Sequence, residues 1–383
     1  MENKILFVGG TWDLKEGKKS SLVDKFAKEL PNATVYNGGN YNDLNKILES
    51  CINYDVVLWW ANVDNSLPKI RNVKDINYKT MLVSSKRNVD NTYSFQDLLA
   101  RSFALKSNLT IEFTQSNNLY NMKLFDPLGN VWYEGTDIKE CSKELIERLN
   151  FIKKITREST TSKEENIGAL AWFFNMFKQE MYKSIDNPIT PIKDDFLNLV
   201  REYASIFAEA TFHTKDVQRF LGNASFRCPK GFPSFRAGKY IFVSKRNVNK
   251  EYIGIDEFVP VYLEDGKIYY CGNNKPSVDT PIQVKLYEKL PNINYMIHSH
   301  CYIKDAPYTN ECLPCGAIEE VQEIENLINE SYDNDYSRDF YLINLTGHGS
   351  IMMSKNPEQL KNIEMIGRNL PENMYLKKST KTK

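Results

Sequence analysis

An α/β protein whose N-terminal part is a Rossmann-like, largely parallel sheet is what the sequence predicts, and three observations predict it. Short apolar runs alternate with polar or amphipathic helical segments from residue 1 to about 155, glycine pairs end the early runs, and the composition is that of a folded chain. The chain has 383 residues, 42% of them hydrophobic, with 49 basic and 49 acidic side chains and so no net charge. At roughly 150 residues per domain this is enough for two domains, each with its own core. Disorder needs low hydrophobicity together with high net charge, and neither is present. A protein built to grip nucleic acid needs a basic stripe, and the only basic run is the terminal Lys377–Lys383, read as a solvated tail. No stretch approaches the roughly 18 uninterrupted apolar residues of a membrane helix, and Met1–Gly10 reads as a buried first strand instead of an export segment. Seven scattered cysteines, an odd number, suit reduced thiols and a cytoplasmic location.

The elements follow in order. Ile5–Val8 is a strand ended by Gly9-Gly10, Ser21–Leu30 a helix, and Ala33–Tyr36 a strand before Gly38-Gly39. Residues 42–52 read as a helix and Asp55–Trp60 as a fully buried strand. Thr80–Ser84 is a strand, Phe95–Leu105 a helix, and Leu109–Phe113 a strand. Met122–Phe125 and Val131–Glu134 flank the turn around Pro127-Leu128-Gly129-Asn130. A last helix, Ile138–Ile155, completes a first domain over residues 1–155. The small polar residues of Arg157–Lys163 resemble a linker, which with a following aromatic-rich helix (Ile167–Met181) occupies residues 156–194. The second domain, residues 195–383, begins with a helix at Asp195–Ala210, changes to strands and loops as far as residue 303, and closes with helices at about 316–330 and 357–369.

Only four histidines occur, and three of them form a pattern. His298 and His300 end the strand-like run Tyr295–His300. Residues two apart on a strand share a face, so both imidazoles can reach one ion while Ser299 points away. His348 sits between Gly347 and Gly349, which let the backbone turn sharply after the apolar run Phe340–Leu345. Three neutral nitrogen ligands with an open position describe a catalytic zinc site better than a structural one. The same His-x-His spacing also suits imidazoles satisfied by hydrogen bonds alone. The fourth, His213, fits no motif and reads as a surface or capping residue.

The string Lys275–Gln283, then Leu286-Tyr287, Pro291 and Tyr295–His300, resembles the signature of the class II aldolase/adducin family, on the branch of the ribulose-phosphate 4-epimerases and the fuculose and rhamnulose phosphate aldolases. Gly222–Arg227 resembles the family's Gly-Asn-x-Ser-x-Arg, and Gly347–Ser350 with Lys355–Glu358 resembles its late Asn-His-Gly segment. The likeness spans residues 195–370 and leaves the N-terminal domain unrecognised. It implies a class II aldolase-like α/β/α metal domain in which His298, His300 and His348 hold Zn2+, with Mn2+ or another divalent ion as alternatives. It also implies a homotetramer.

Asp279 stands where the resemblance places a catalytic carboxylate, either a fourth displaceable ligand or a base, although Asp before Thr280-Pro281 also suits helix capping. For the substrate anion, the resemblance implies Asn223 and Ser277. Val278 replaces the family's second serine, and Lys245 and Arg246 fall near its Thr-Gly position, where they could grip a sugar phosphate or nucleotide-like anion through charge. A late catalytic acid falls near Glu319, Glu320 or Glu323, of which Glu320 is the choice, although acids that open a helix also suit its dipole. Tyr375 takes the part of the family's late tyrosine. The pentapeptide Ser-Lys-Arg-Asn-Val occurs at 85–89 and again at 244–248, each time after a strand and before a tyrosine. This is either a shared phosphate-binding element or coincidence in a chain rich in Lys and Asn. Gly9-Gly10-Thr11 and Gly38-Gly39-Asn40 can present amides to phosphate, or simply turn the chain. Cys312-x-x-Cys315 reads as structural or incidental. The function expected is a zinc-dependent aldolase-type lyase on a small phosphorylated or anionic sugar. A 4-epimerase or dehydratase on the same scaffold, or an adducin-like binding module, are the alternatives.

Overall fold

In a computed structural model of the chain, residues 3–116, 119–156, 158, 160–162, 194–204, 213–214, 217–218, 220–228, 240–270, 272 and 274–367 are described. Contacts divide the chain into two compact units, one made of Met1–Lys154 with Phe212–Val217 and one made of Ile155–Thr211 with Gln218–Lys383.

The first unit is a sheet flanked on both faces. Its strands are β1 (Ile5–Asp13), β2 (Ala33–Asn40), β3 (Val56–Trp59), the short β4 (Asn62–Val63), β5 (Met81–Arg87), β6 (Leu109–Ser116), β7 (Leu119–Phe125) and β8 (Val131–Gly135). The order is β2-β1-β3-β5-β6-β7-β8, with β4 beside β1. The pairs from β2 to β6 are parallel, whereas β6-β7 and β7-β8 are antiparallel. Alternation along each strand sends side chains to opposite faces. Ile5, Phe7, Val56, Leu58 and Val83 meet α1 (Ser21–Lys28) and α5 (Ile138–Lys154). Leu6, Val8, Val57 and Leu82 meet α2 (Tyr41–Glu49) and α3 (Val73–Ile76) on the other face. The helix α4 spans Phe95–Leu105 as the sequence predicts, because Ser94 and Asp97 close a capping box and Lys106 turns left-handed at φ 56°.

The second unit has helices on both faces of an antiparallel sheet. Its strands are β9 (Thr160–Ser162), β10 (Asn223–Arg227), β11 (Tyr240–Ser244), β12 (Phe258–Glu264), β13 (Lys267–Tyr270), β14 (Tyr295–Ser299), β15 (Phe340–Leu345) and β16 (Gly349–Ser354), in the order β15-β16-β14-β10-β11-β12-β13-β9. Every pair is antiparallel except β13 with β9. Phe226, Phe242, Ile297 and Met352 pack on α6 (Asp194–Glu202), and Val243, Met296, Ile343, Ile351 and Met353 on α7 (Thr280–Lys289) and α8 (Glu319–Ser331). This gives the α/β/α layering expected.

Three readings of the sequence change. The glycine pairs do not end their strands: β1 continues through Gly9-Gly10 to Asp13 and β2 through Gly38-Gly39 to Asn40, the two pairing again at Trp12 with Gly39 after an irregularity. Within the segment read as a linker, Thr160–Ser162 is a sheet strand. The last predicted helix, 357–369, shrinks to one 3-10 turn at Pro357–Leu360. After it Asn362 turns left-handed at φ 60°, and the chain pairs with a remote segment through Ile366 N to Tyr302 O and Tyr302 N to Gly367 O. Those long-range bonds satisfy the backbone in place of a helix. Tyr375, the Ile167–Met181 helix, residues 205–210 of the helix predicted from Asp195, and the basic tail lie outside the described residues.

Candidate metal centre

Strand β14 lies inside its sheet, and its end brings two of the three histidines into one buried cluster. His298 lies on β14, with Asn223 as its register partner on β10 and Ile351 on β16, and His300 follows just past the strand end. His348 arrives from the turn joining β15 to β16, closed by its N–H on Leu345 O at 2.9 Å. This turn needs glycine at 349. Its φ is +140°, and a Cβ there would lie 2.0 Å from Ser299 O.

The three rings sit with centroids 4.7–5.0 Å apart. One nitrogen from each lies within 4.8 Å of the others, and all three residues are buried. The outer nitrogens of two of them are engaged. His298 Nδ1 is 2.9 Å from Ser350 O, so its N–H donates there. His348 Nδ1 lies 2.7 Å from Glu320 Oε1. His298 Nε2 is left buried with no hydrogen-bond partner among the described residues. Three buried imidazoles this close together could hold a divalent metal ion, and outer partners fix the orientation of the His298 and His348 rings.

Electrostatics follow from burial. Desolvation pushes His298 down to about 4, with His348 nearby adding to the effect, which favours the neutral, ligating imidazole. Burial would depress His348 too, yet the Glu320 carboxylate against Nδ1 holds it well above the ordinary imidazole value. Burial raises the Glu320 carboxyl, and His348 pulls it back.

Asp279, at 6% exposure, borders this group. Its Oδ2 accepts from Asn223 Nδ2 at 3.1 Å and lies 3.9 Å from His298 Nε2, while Oδ1 accepts from Gly316 N at 3.0 Å. It occupies the N-cap position of α7 but makes no side-chain capping bond, so its carboxylate is turned to this network. Asn223 also donates to Ser277 Oγ at 3.0 Å and accepts from Gln283. Arg227 plays a scaffold part, donating to the carbonyls of Tyr287, Leu290 and Ile293.

The predicted residues therefore separate. Asn223, Ser277 and Asp279 share hydrogen bonds beside the histidines, and Glu320 touches the centre through His348. Its neighbours do not: Glu319 accepts from Thr156 N and Glu323 from Asn310 and Glu311 N. Lys245 and Arg246 line another cleft, of about 420 Å³, with Asn247, Tyr252, Asn274 and Lys275, and Lys245 is held 3.4 Å from Glu257. One residue gains a place that spacing did not give it. Cys315, from the Cys-x-x-Cys, has Sγ 3.3 Å from His348 Nε2. The cysteines described form no disulfide with one another.

Comparison with known proteins bears on the same segment. Residues 202–306 match the family model described as the class II aldolase and adducin N-terminal domain. The second unit thus resembles that family, as its motifs imply. A comparison with curated proteins gives no match. Among solved structures, a sugar-phosphate aldolase from Thermotoga maritima is 14% identical over 43% of this chain and 90% of its own, with a TM-score of 0.29. The L-fuculose-1-phosphate aldolase from Thermus thermophilus is 16% identical over 42% and 79%, at 0.27. A DNA/pantothenate metabolism flavoprotein from Streptococcus pneumoniae is 13% identical over 39% of this chain and 99% of its own, at 0.31.

Proposed function

We propose that the second unit is a divalent-metal-dependent lyase of the class II aldolase type acting on a small phosphorylated or otherwise anionic sugar, with zinc as the ion. The observation that carries this reading is the convergence of three buried imidazoles, one with an orphaned nitrogen, beside a buried carboxylate. His298, His300 and His348 would hold the ion, which when bound supplies Lewis-acid polarisation of substrate oxygens. Asp279, its carboxylate held by Asn223 and Gly316 N, would take or return a proton. Glu320 fixes the tautomer and angle of His348, a positioning role in place of the acid expected from the sequence. Asn223 and Ser277 border the place where the anionic end of the substrate would lie.

A 4-epimerase or dehydratase on this scaffold is the second reading, favoured by aspartate at 279, where by the family resemblance the epimerases carry aspartate and the aldolases glutamate. An adducin-like binding module would have no use for the buried triad. A homotetramer and a cytoplasmic location go with the reading, the former open to light scattering. Among the described residues no helix is long and apolar enough to cross a membrane.

Metal analysis of the purified protein beside His298→Ala and His348→Ala tests the site. The expected result is about one ion per chain, lost in both variants, and full occupancy in both ends the proposal. Turnover of a panel of ketose and aldose phosphates, read as cleavage or epimerisation, then separates the two chemistries.

A further inference from the structure

The first unit contains a cavity of about 700 Å³, lined entirely by its own residues. It opens at the carboxyl ends of the parallel strands, reached by Gly10 and Thr11 of β1, Trp59 of β3 and Ser84–Arg87 of β5. Strand β1 lies between β2 and β3, so the chain leaves it to one side and returns on the other. A crevice outside the strand ends at such a reversal is where open α/β sheets bind ligands.

Six cations line it: Lys18, Lys19, Arg71, Lys86, Arg87 and Arg101. No carboxylate does, and none of the six has an acidic partner among the described residues. Like charges gathered without a counter-charge raise the potential of the cleft and favour an anion. Helix α1 adds to this. Its N-cap residue, Ser20, lines the cavity and makes no side-chain capping bond, so the amides of the first turn keep their partial positive charge. Lys86 is braced 4.1 Å over the ring of Tyr93, which fixes one of the cationic groups. Trp59, half-buried, offers a flat apolar wall. Trp60, 9% exposed among Phe7, Phe26 and Phe113, is a second aromatic residue of the lining, and its indole N–H is buried with no acceptor among the described residues.

We infer that this cavity binds an organic polyphosphate carrying a flat ring, of the nucleoside di- or triphosphate class, with its phosphates on the cationic residues and its ring against Trp59. Two features choose this class. Six cations without an acidic partner among the described residues exceed what one phosphate requires, and β2 ends in Asn37-Gly38-Gly39-Asn40, without the acid that dinucleotide-binding sheets place there to hold a ribose hydroxyl. The first copy of Ser-Lys-Arg-Asn-Val thereby gains a use: Ser85, Lys86 and Arg87 all line the cavity. The inference is independent of the metal site.

Isothermal titration calorimetry on the full chain, with a chelator present to empty the metal centre, tests it with ATP, inorganic pyrophosphate and adenosine. Expected are saturable binding of ATP, at least tenfold weaker binding of adenosine, and loss of ATP affinity as salt rises. Arg71→Ala and Arg87→Ala, both at exposed side chains, should each weaken ATP about tenfold or more while circular dichroism stays unchanged, since each removes a charge-assisted donor. Lys245→Ala with Arg246→Ala, in the second copy of the pentapeptide, should change nothing. Absence of binding at millimolar ATP, adenosine binding as tightly as ATP, or full affinity in the double variant Arg71→Ala/Arg87→Ala would each overturn it.

Discussion

Replacing Glu320 by glutamine isolates the contribution of one oxygen to the metal centre. The variant keeps the size of the side chain and an acceptor for His348 Nδ1, but removes the charge from a contact of 2.7 Å at which Glu320 is 4% exposed. A charge-assisted bond is about twice as strong as its neutral counterpart. Loss of the outer partner of a ligating histidine typically weakens metal binding about 10- to 100-fold, or ~1.4–2.8 kcal/mol. Stability should register the same loss. At zinc near 100 times the wild-type Kd the ion stabilises the native state by about 2.7 kcal/mol, and a tenfold weaker variant at that concentration retains about 1.4. The assay is competition for Zn2+ against a chromophoric chelator at fixed pH, with melting curves at matched free zinc. Glu319→Gln is the control, because among the described residues Glu319 accepts only from Thr156 N. Zinc affinity unchanged in Glu320→Gln, or lowered equally in Glu319→Gln, would refute the positioning role.

Other outcomes follow from the same structure. Asp279→Asn should keep zinc affinity within about tenfold while turnover falls about 100-fold or more, as expected when a proton-transfer group is lost. Gly349→Ala should destabilise the second unit by at least about 2 kcal/mol in chemical denaturation, since its Cβ would lie 2.0 Å from Ser299 O. Burial lowers the Lys250 amine to about 7, so between there and about pH 10 the unfolded chain carries a proton that the native one lacks. Stability from this group therefore rises with pH across that window, and Lys250→Met should flatten the rise by up to about 1.4 kcal/mol per pH unit in parallel melts. Ser94→Ala breaks the capping box of α4 and should cost about 1 kcal/mol in the first unit.

Local chemistry explains what could be read from the sequence. Alternating apolar runs announced β1, β3 and β5 because both of their faces are covered, and α4 has the bounds expected, Phe95–Leu105. The histidine triad was visible because two of its members are spaced for one face of a strand and the third is framed by glycines. What escaped depends on contacts distant in sequence. Nothing near Asn362 tells that Ile366 will pair with Tyr302. The separation of Glu320 from Glu319 and Glu323 depends on which side of α8 faces His348, 28 residues away. Lys245 and Arg246 sat at the right sequence position for the substrate anion, but line a cleft that Asn223 and Ser277 do not. Cys315 was read as structural or incidental because one Cys-x-x-Cys gives no hint of an imidazole from another hairpin.

The short strand Thr160–Ser162 carries a practical warning for anyone dissecting the protein. It closes the outer flank of the second sheet against Ile268–Tyr270, and just before it Glu158 pairs with Lys285 of α7 at 2.5 Å. A fragment that starts after Ser162 would carry a sheet ending on a bare row of amides and carbonyls at Ile268–Tyr270, a template for fibre-like stacking. A fragment starting at Ile155 keeps that border sealed.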